Sequence, residues 1–170
     1  MIVQPRVYRD RRGYFLENYN KQKLEELGID IEFVQDNLSM SKFGVIRGLH
    51  YQLAPYAQTK LVSVSHGKVL DVVVDLRQGS LTFGHSLSIE LSHNNNKQLL
   101  IPPGFAHGFV VLTDTAEFLY KTTDYWAPEF ERCIRWDDDD LSIDWQYAGE
   151  PLVSEKDAIG SDFKEADIFE

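Results

Sequence analysis

At 170 residues, 43% of them hydrophobic, with modest glycine and proline content, the chain is long enough to bury a sizeable core and is not of disordered composition. Its formal net charge of −10 argues against a nucleic-acid or anionic-membrane partner, which would want a basic patch. A small anionic ligand needs only a few local cations, and Arg12, Arg47 and Lys60 are candidates.

Met1-Ile2-Val3-Gln4-Pro5 has no signal-peptide core, and no apolar run approaches a membrane span, so a cytoplasmic location is expected. The first clear element is a helix of about two turns, with Asn20 as cap, Leu24 and Leu27 on one face and Gly28 as terminator. Strand texture follows. The run 44–52 carries Arg47 and His50, which would point to opposite faces of an extended strand unless Gly48 kinks or bulges it. Residues 60–66 and 68–77 read as two strands joined by a Gly67-Lys68 turn. Residues 85–91 alternate strictly, with Leu87, Ile89 and Leu91 on one face. A polar loop at 93–97, a short strand at 98–101 and a Pro102-Pro103-Gly104 turn precede two further strands, 105–112 and 116–123.

Cys133 is the only cysteine, which removes intrachain disulfides and cysteine-rich metal sites; its strand-like flanks suggest a buried structural thiol. The run Asp137 to Asp140 reads as a solvated turn, without the glycine and terminal glutamate of a calcium loop. The stretch 157–170 is expected to be a short helix or a tail. Many short strands and almost no helix imply an all-β sandwich or barrel with short peripheral helices, and no linker or repeat divides residues 1–170, so a single domain is expected.

Of five histidines, His66, His85 and His93 lie beside turns and read as surface residues. His107 lies in a Pro-Pro-Gly-Phe-Ala-His-Gly-Phe segment, a turn followed by a strand. That segment resembles the second motif of the cupin superfamily of jelly-roll barrels, in which the histidine often binds metal. The first cupin motif would need a His-x-His pair; here His50-Tyr51-Gln52 places a glutamine at the second position, a poor transition-metal ligand. No metal is therefore expected, and His107 is read as either facing the substrate or supporting the residues that do. An interior histidine used for acid–base chemistry needs a carboxylate to fix its tautomer. Asp71 alternates with Val69 and Val73, a pattern that leaves its orientation open, and Tyr120 alternates with Phe118 and Thr122.

Taken in order, residues 10–17 (Asp-Arg-Arg-Gly-Tyr-Phe-Leu-Glu), 34–39, 44–52, 59–62, 71–77, 80–84, 101–109, 120–125 and the Ser154-Glu155-Lys156-Asp157 motif resemble the dTDP-4-dehydrorhamnose 3,5-epimerase family over almost the whole chain. The resemblance implies a cupin-type jelly roll, a homodimer and no cofactor. It implies His50 as general base paired with Asp157, Lys60 as stabiliser of an enolate oxygen, and Tyr120 as the opposing acid. Arg12, Glu17, Gln35, Asn37 and Arg47 match positions that hold the nucleotide diphosphate, and His107 with Asp71 matches a supporting inward pair. The N-terminal segment with Arg12 is expected to reach the neighbouring subunit's site. Trp126 stands where many members carry a second tyrosine, near the nucleotide base. The chain begins at what reads as the end of the first strand, which would shorten a strand exchanged between subunits.

The substrate implied is a nucleoside-diphosphate 4-keto-6-deoxyhexose, thymidine being the family expectation. Its C3 and C5 hydrogens are both α to the ketone and acidic enough to be removed. An epimerase acting at one centre only would use the same residues. A metal-dependent cupin enzyme would need the missing His-x-His pair, and a non-catalytic sugar-binding module would have no need for a base, a cation and a tyrosine together.

Overall fold

The computed structural model describes residues 1–170. Its strands are β1 (Ile2–Val3), β2 (Val7–Asp10), β3 (Gly13–Leu16), β4 (Gln35–Lys42), β5 (Ile46–Gln52), β6 (Lys60–His66), β7 (Lys68–Asp75), β8 (Ser86–Ser92), β9 (Gln98–Ile101), β10 (Phe105–Val111), β11 (Thr115–Thr122) and β12 (Glu131–Cys133). One sheet runs β1-β9-β6-β11-β4, a second runs β12-β5-β10-β7-β8, and β2 with β3 makes a separate hairpin. The strand pairings are antiparallel. Two facing five-stranded sheets with short peripheral helices form a jelly roll of the cupin type; the strand texture led one to expect an all-β sandwich or barrel, and the family resemblance the cupin type.

The alternation within each strand builds three apolar layers. Between the sheets, Val69, Val73, Phe109 and Val111 meet Val62, Val64, Leu99, Ile101 and Phe118. The outer face of the second sheet (Ile46, Leu49, Leu70, Val72, Val74 and Val110) is covered by the C-terminal third through Ile134, Leu141 and Trp145. With both faces covered, β7 is buried from Val69 to Asp75, which is why it reads as a continuous apolar run rather than an alternating one. A smaller layer packs Leu24 and Ile29 on Leu61 and Leu100 of the first sheet.

Four expectations change here. The helix α1 (Lys21–Glu26) is capped by Asn20, whose side chain accepts from Lys23 N, but Leu27 is its C-cap and lies exposed rather than beside the buried Leu24. The strands either side of Gly67 do not pair. β6 joins β9 and β11, whereas β7 joins β8 and β10, so Gly67 carries the chain from one sheet to the other. It does so at φ +75°, where a Cβ would collide with the Thr115 carbonyl oxygen. The 85–91 pattern forms β8 with the inward face expected, but burial fades from Leu91 to an exposed Leu87 because β8 is a sheet edge. Finally, the four aspartates are not all solvated. Asp138 is buried, and its carboxylate accepts from the main-chain N–H groups of Asp140, Leu141 and Phe163.

The C-terminal stretch forms α2 (Glu155–Ala158) and then a strap along the second sheet. Ser161 bridges to Ile134 and Phe169 to Arg77, while the Tyr51 hydroxyl donates to the Asp167 carbonyl.

Candidate active site

β10 pairs with β5 through His107↔His50 and then Phe109↔Arg47, so β5 carries one residue more than its partner over that step. The extra residue is a bulge at Gly48. Ile46, Leu49 and Tyr51 join the outer layer, while both Arg47 and His50 line the cavity between the sheets. Gly48 has φ +117°, and a Cβ on it would lie 2.5 Å from Gly108 Cα and 2.6 Å from the His107 carbonyl oxygen. Only glycine lets the two strands approach this closely.

The cavity has a volume of about 440 Å³ and opens between the two sheets. On its second-sheet wall His50 Nε2–H donates to Asp157 Oδ1 at 2.6 Å. Asp157 is buried on α2, held by the N-cap Ser154 hydroxyl, which accepts from Asp157 N, and its other oxygen accepts from Gly48 N. Burial alone would raise this carboxyl, but the His50, Gly48 and Ser154 contacts outweigh it and hold the group below the ordinary carboxylate range. Beside this pair, His107 Nε2–H donates to Asp71 Oδ2 at 2.9 Å, which settles Asp71 as inward. Burial raises the Asp71 carboxyl, and the neighbouring His107 and Lys60 oppose the rise.

On the facing wall stand Lys60 and Tyr120, from β6 and β11. Lys60 Nζ donates to the His50 carbonyl at 3.3 Å, and burial lowers its ammonium to about 8 against a partial pull upward from Glu131 and Asp71. Burial raises the Tyr120 hydroxyl, with Arg47 opposing. Arg47 Nε donates to Ser41 Oγ, and Gln35 donates to Asn37 Oδ1, leaving the buried Asn37 Nδ2 without a partner in the protein. Lys60 and Arg47 are thus the cations of the cavity, and Asn37 offers it a free donor.

Arg12 and Glu17 do not join this cavity within one chain. Arg12 sits at the exposed tip of the β2–β3 hairpin, paired with Asp10 at 2.6 Å, and Glu17 pairs with Lys23 at 2.6 Å beside a separate hollow. Trp126, whose position the resemblance put near the nucleotide base, lines the cavity, and so do Gln52, Gln58 and Glu131, which had not been read as site residues. Gln52 holds the rim: its amide donates to the Tyr56 and Tyr125 carbonyls and accepts from Ala127 N. A cupin metal at His107 does not fit these residues, because Gln52 is committed to the main chain of the rim and Asp71 is the only carboxylate beside the histidine. Glu131 accepts from Trp126 Nε1 and from Lys156, tying the rim to α2. Its strand has three residues, too short to announce itself by alternation. Cys133 is half-buried rather than buried, and burial together with the Asp157 charge pushes its thiol up to about 12, so it stays protonated at neutral pH unless a cation displaces the proton.

The fold and cavity together define a jelly-roll protein whose interior gathers two histidine–carboxylate pairs, a lysine and a tyrosine. Residues 1–165 match the family model described as dTDP-4-dehydrorhamnose 3,5-epimerase. The enzyme of that name from Pseudomonas aeruginosa is 56% identical over 170 residues, covering 99% of this chain and 93% of the relative, and that from Shigella flexneri is 51% identical with the same coverage. The crystal structure of dTDP-6-deoxy-D-glucose-3,5-epimerase from Legionella pneumophila, in complex with dTDP-4-keto-L-rhamnose, superposes with a TM-score of 0.94 at 48% identity, covering 98% of this chain and 88% of that one. The chain belongs to the dTDP-4-dehydrorhamnose 3,5-epimerase family.

Proposed function

We propose that the protein inverts C3 and C5 of a dTDP-4-keto-6-deoxyhexose by proton removal and return through an enolate. The observation that carries this reading is the placement of the half-buried His50, paired to the buried Asp157, on one cavity wall with Lys60 and Tyr120 on the other. His50, its Nε2–H held by Asp157, keeps the Nδ1 lone pair to take the proton α to the ketone. The charge moves to the C4 oxygen, where the Lys60 ammonium meets it. Tyr120 returns a proton from the opposite face. A positioned base typically contributes about 10²–10⁴-fold, and loss of one oxyanion donor costs about 2.7–4 kcal/mol, so neither group alone makes a fast enzyme. His107 with Asp71 braces the cavity, while Gln35, Asn37 and Arg47 meet the diphosphate end of the substrate.

The working unit is a homodimer in the cytoplasm. The β2–β3 hairpin exposes Tyr8, Tyr14 and Phe15, and the outer face of β4 exposes Leu38 and Met40, all large apolar groups that a second copy would cover. Such a pairing would bring Arg12 and Glu17 to the neighbouring cavity.

Incubation with dTDP-4-keto-6-deoxyglucose in D₂O, followed by NMR at C3 and C5, tests substrate, reaction and number of centres together. Deuterium is expected at both carbons. His50→Ala should abolish its incorporation, and Tyr120→Phe should impair inversion more than exchange. Normal turnover by His50→Ala would remove the base assignment.

A further inference from the structure

Cys133 takes no part in the reaction proposed above, yet it lies against its centre. β12 pairs with β5 so that Cys133 sits opposite His50, and α2 brings Asp157 to the same point. One donor atom from each of His50, Cys133 and Asp157 lies within 4.8 Å of the other two. Within the protein the Cys133 thiol makes only a weak contact, donating to the Ile134 carbonyl at 3.6 Å.

We propose that His50, Cys133 and Asp157 form a binding site for a soft divalent cation such as zinc, and that its occupancy switches the enzyme off. Imidazole, thiolate and carboxylate are the donors zinc prefers. They come from β5, β12 and α2, so no local run of backbone has to bend around the ion. Tetrahedral zinc with bonds of about 2.0–2.2 Å would hold the histidine nitrogen and carboxylate oxygen roughly 3.3 Å apart. The present separation is 2.6 Å, so the hydrogen bond must open by less than one ångström. The His50 side chain is 29% exposed and has the cavity to move into, from which water supplies a fourth ligand.

The balance is simple. The Sγ–H proton leaves to solvent as the sulfur–metal bond forms, Asp157 binds as the carboxylate it already is, and the two anions neutralise the cation. Coordination at Nε2 moves the imidazole proton to Nδ1, the atom with which His50 would accept a substrate proton. Cation binding and base catalysis therefore exclude each other, a consequence that rests on His50 being the base.

Cadmium serves as the optical probe. Cd²⁺ titrated into the purified protein should produce the ultraviolet thiolate-to-cadmium charge-transfer band, and Cys133→Ser, with Cys133→Ala as a second variant, should lack it while keeping turnover. Zn²⁺ should inhibit the parent protein reversibly, with EDTA restoring the rate, and the variants should need at least about tenfold more Zn²⁺ for equal inhibition. Absence of the band in the parent protein, or equal inhibition of parent and variants, overturns the site. A band without loss of turnover overturns the switch, and where His50→Ala also weakens Cd²⁺ binding it overturns His50 as the base as well.

Discussion

Lys60 shows how a single residue can set function against stability. Its ammonium is desolvated to about 8, well under the ordinary 10.5. A lysine whose folded pKa is depressed is a cost to the fold while it stays charged, and that cost shrinks as pH rises from about 8 toward 10.5. The proposed enolate stabiliser must carry its proton, so turnover should fall along a basic limb near pH 8 while this group's penalty on stability relaxes. Lys60→Met should make the two effects visible at neutral pH, with turnover almost lost and unfolding free energy raised on the order of 2 kcal/mol, measured by urea denaturation. An unchanged or lowered midpoint would mean that the ammonium is better solvated than its surroundings suggest. At this scale the sequence was readable where a residue stands out by type: His50, His107, Lys60 and Tyr120 all reach the cavity. Asp157 lies 107 positions from His50, and nothing local pairs them; only the family motif did. Glu131 escaped because its role comes from a rim that three separate segments build.

Elements carry the positioning. The bulge at Gly48 turns Arg47 and His50 to one side, and its backbone touches β10 so closely that any side chain must push the strands apart. Gly48→Ala should cost more than the roughly 1 kcal/mol of an ordinary left-handed glycine site, because both strain and collision apply. Turnover should fall further than stability does, since the bulge aims the proposed base; circular dichroism melts beside kinetics separate the two. The end of β7 offers a pH-dependent counterpart. Arg77 grips the Asp75 carboxylate through two nitrogens, with the Ser80 and Thr82 hydroxyls donating as well, and these bonds hold Asp75 well below its ordinary 3.8. A depressed folded pKa gives stability that is fully present at neutral pH and is lost as pH falls below about 4. Asp75→Asn should therefore cost on the order of 2 kcal/mol at pH 7, a gap that narrows steadily in acid as the parent protein loses the same contacts. Strand positions were legible because alternation is local. Strand partners were not: Gly67 looks like a hairpin turn in sequence, and only the packing of two sheets makes it a crossing between them.

For the whole molecule, the question is which copy of the chain completes the cavity. Arg12 and Glu17 resemble ligand-binding positions, yet in one chain Arg12 stands exposed on a hairpin with bare aromatic side chains. A cation that recognises diphosphate would be wasted there unless a neighbour's cavity receives it. If the proposed dimer supplies it, Arg12→Ala should raise KM for the nucleotide sugar far more than it lowers kcat, the sign of lost uniform binding. Mixing makes the trans arrangement testable. In a dimer of one His50→Ala chain and one Arg12→Ala chain, a trans site pairs both defects in one cavity and leaves the other cavity intact. Assayed at substrate well below the KM of Arg12→Ala, where both separate variants are nearly inactive, random exchange makes half the dimers mixed, each with one sound site, so about a quarter of parental activity should return. A cis arrangement would put one defect in every cavity, and exchange would restore nothing. The size of the recovery thus distinguishes a hairpin that reaches across the dimer from one that merely decorates its own subunit.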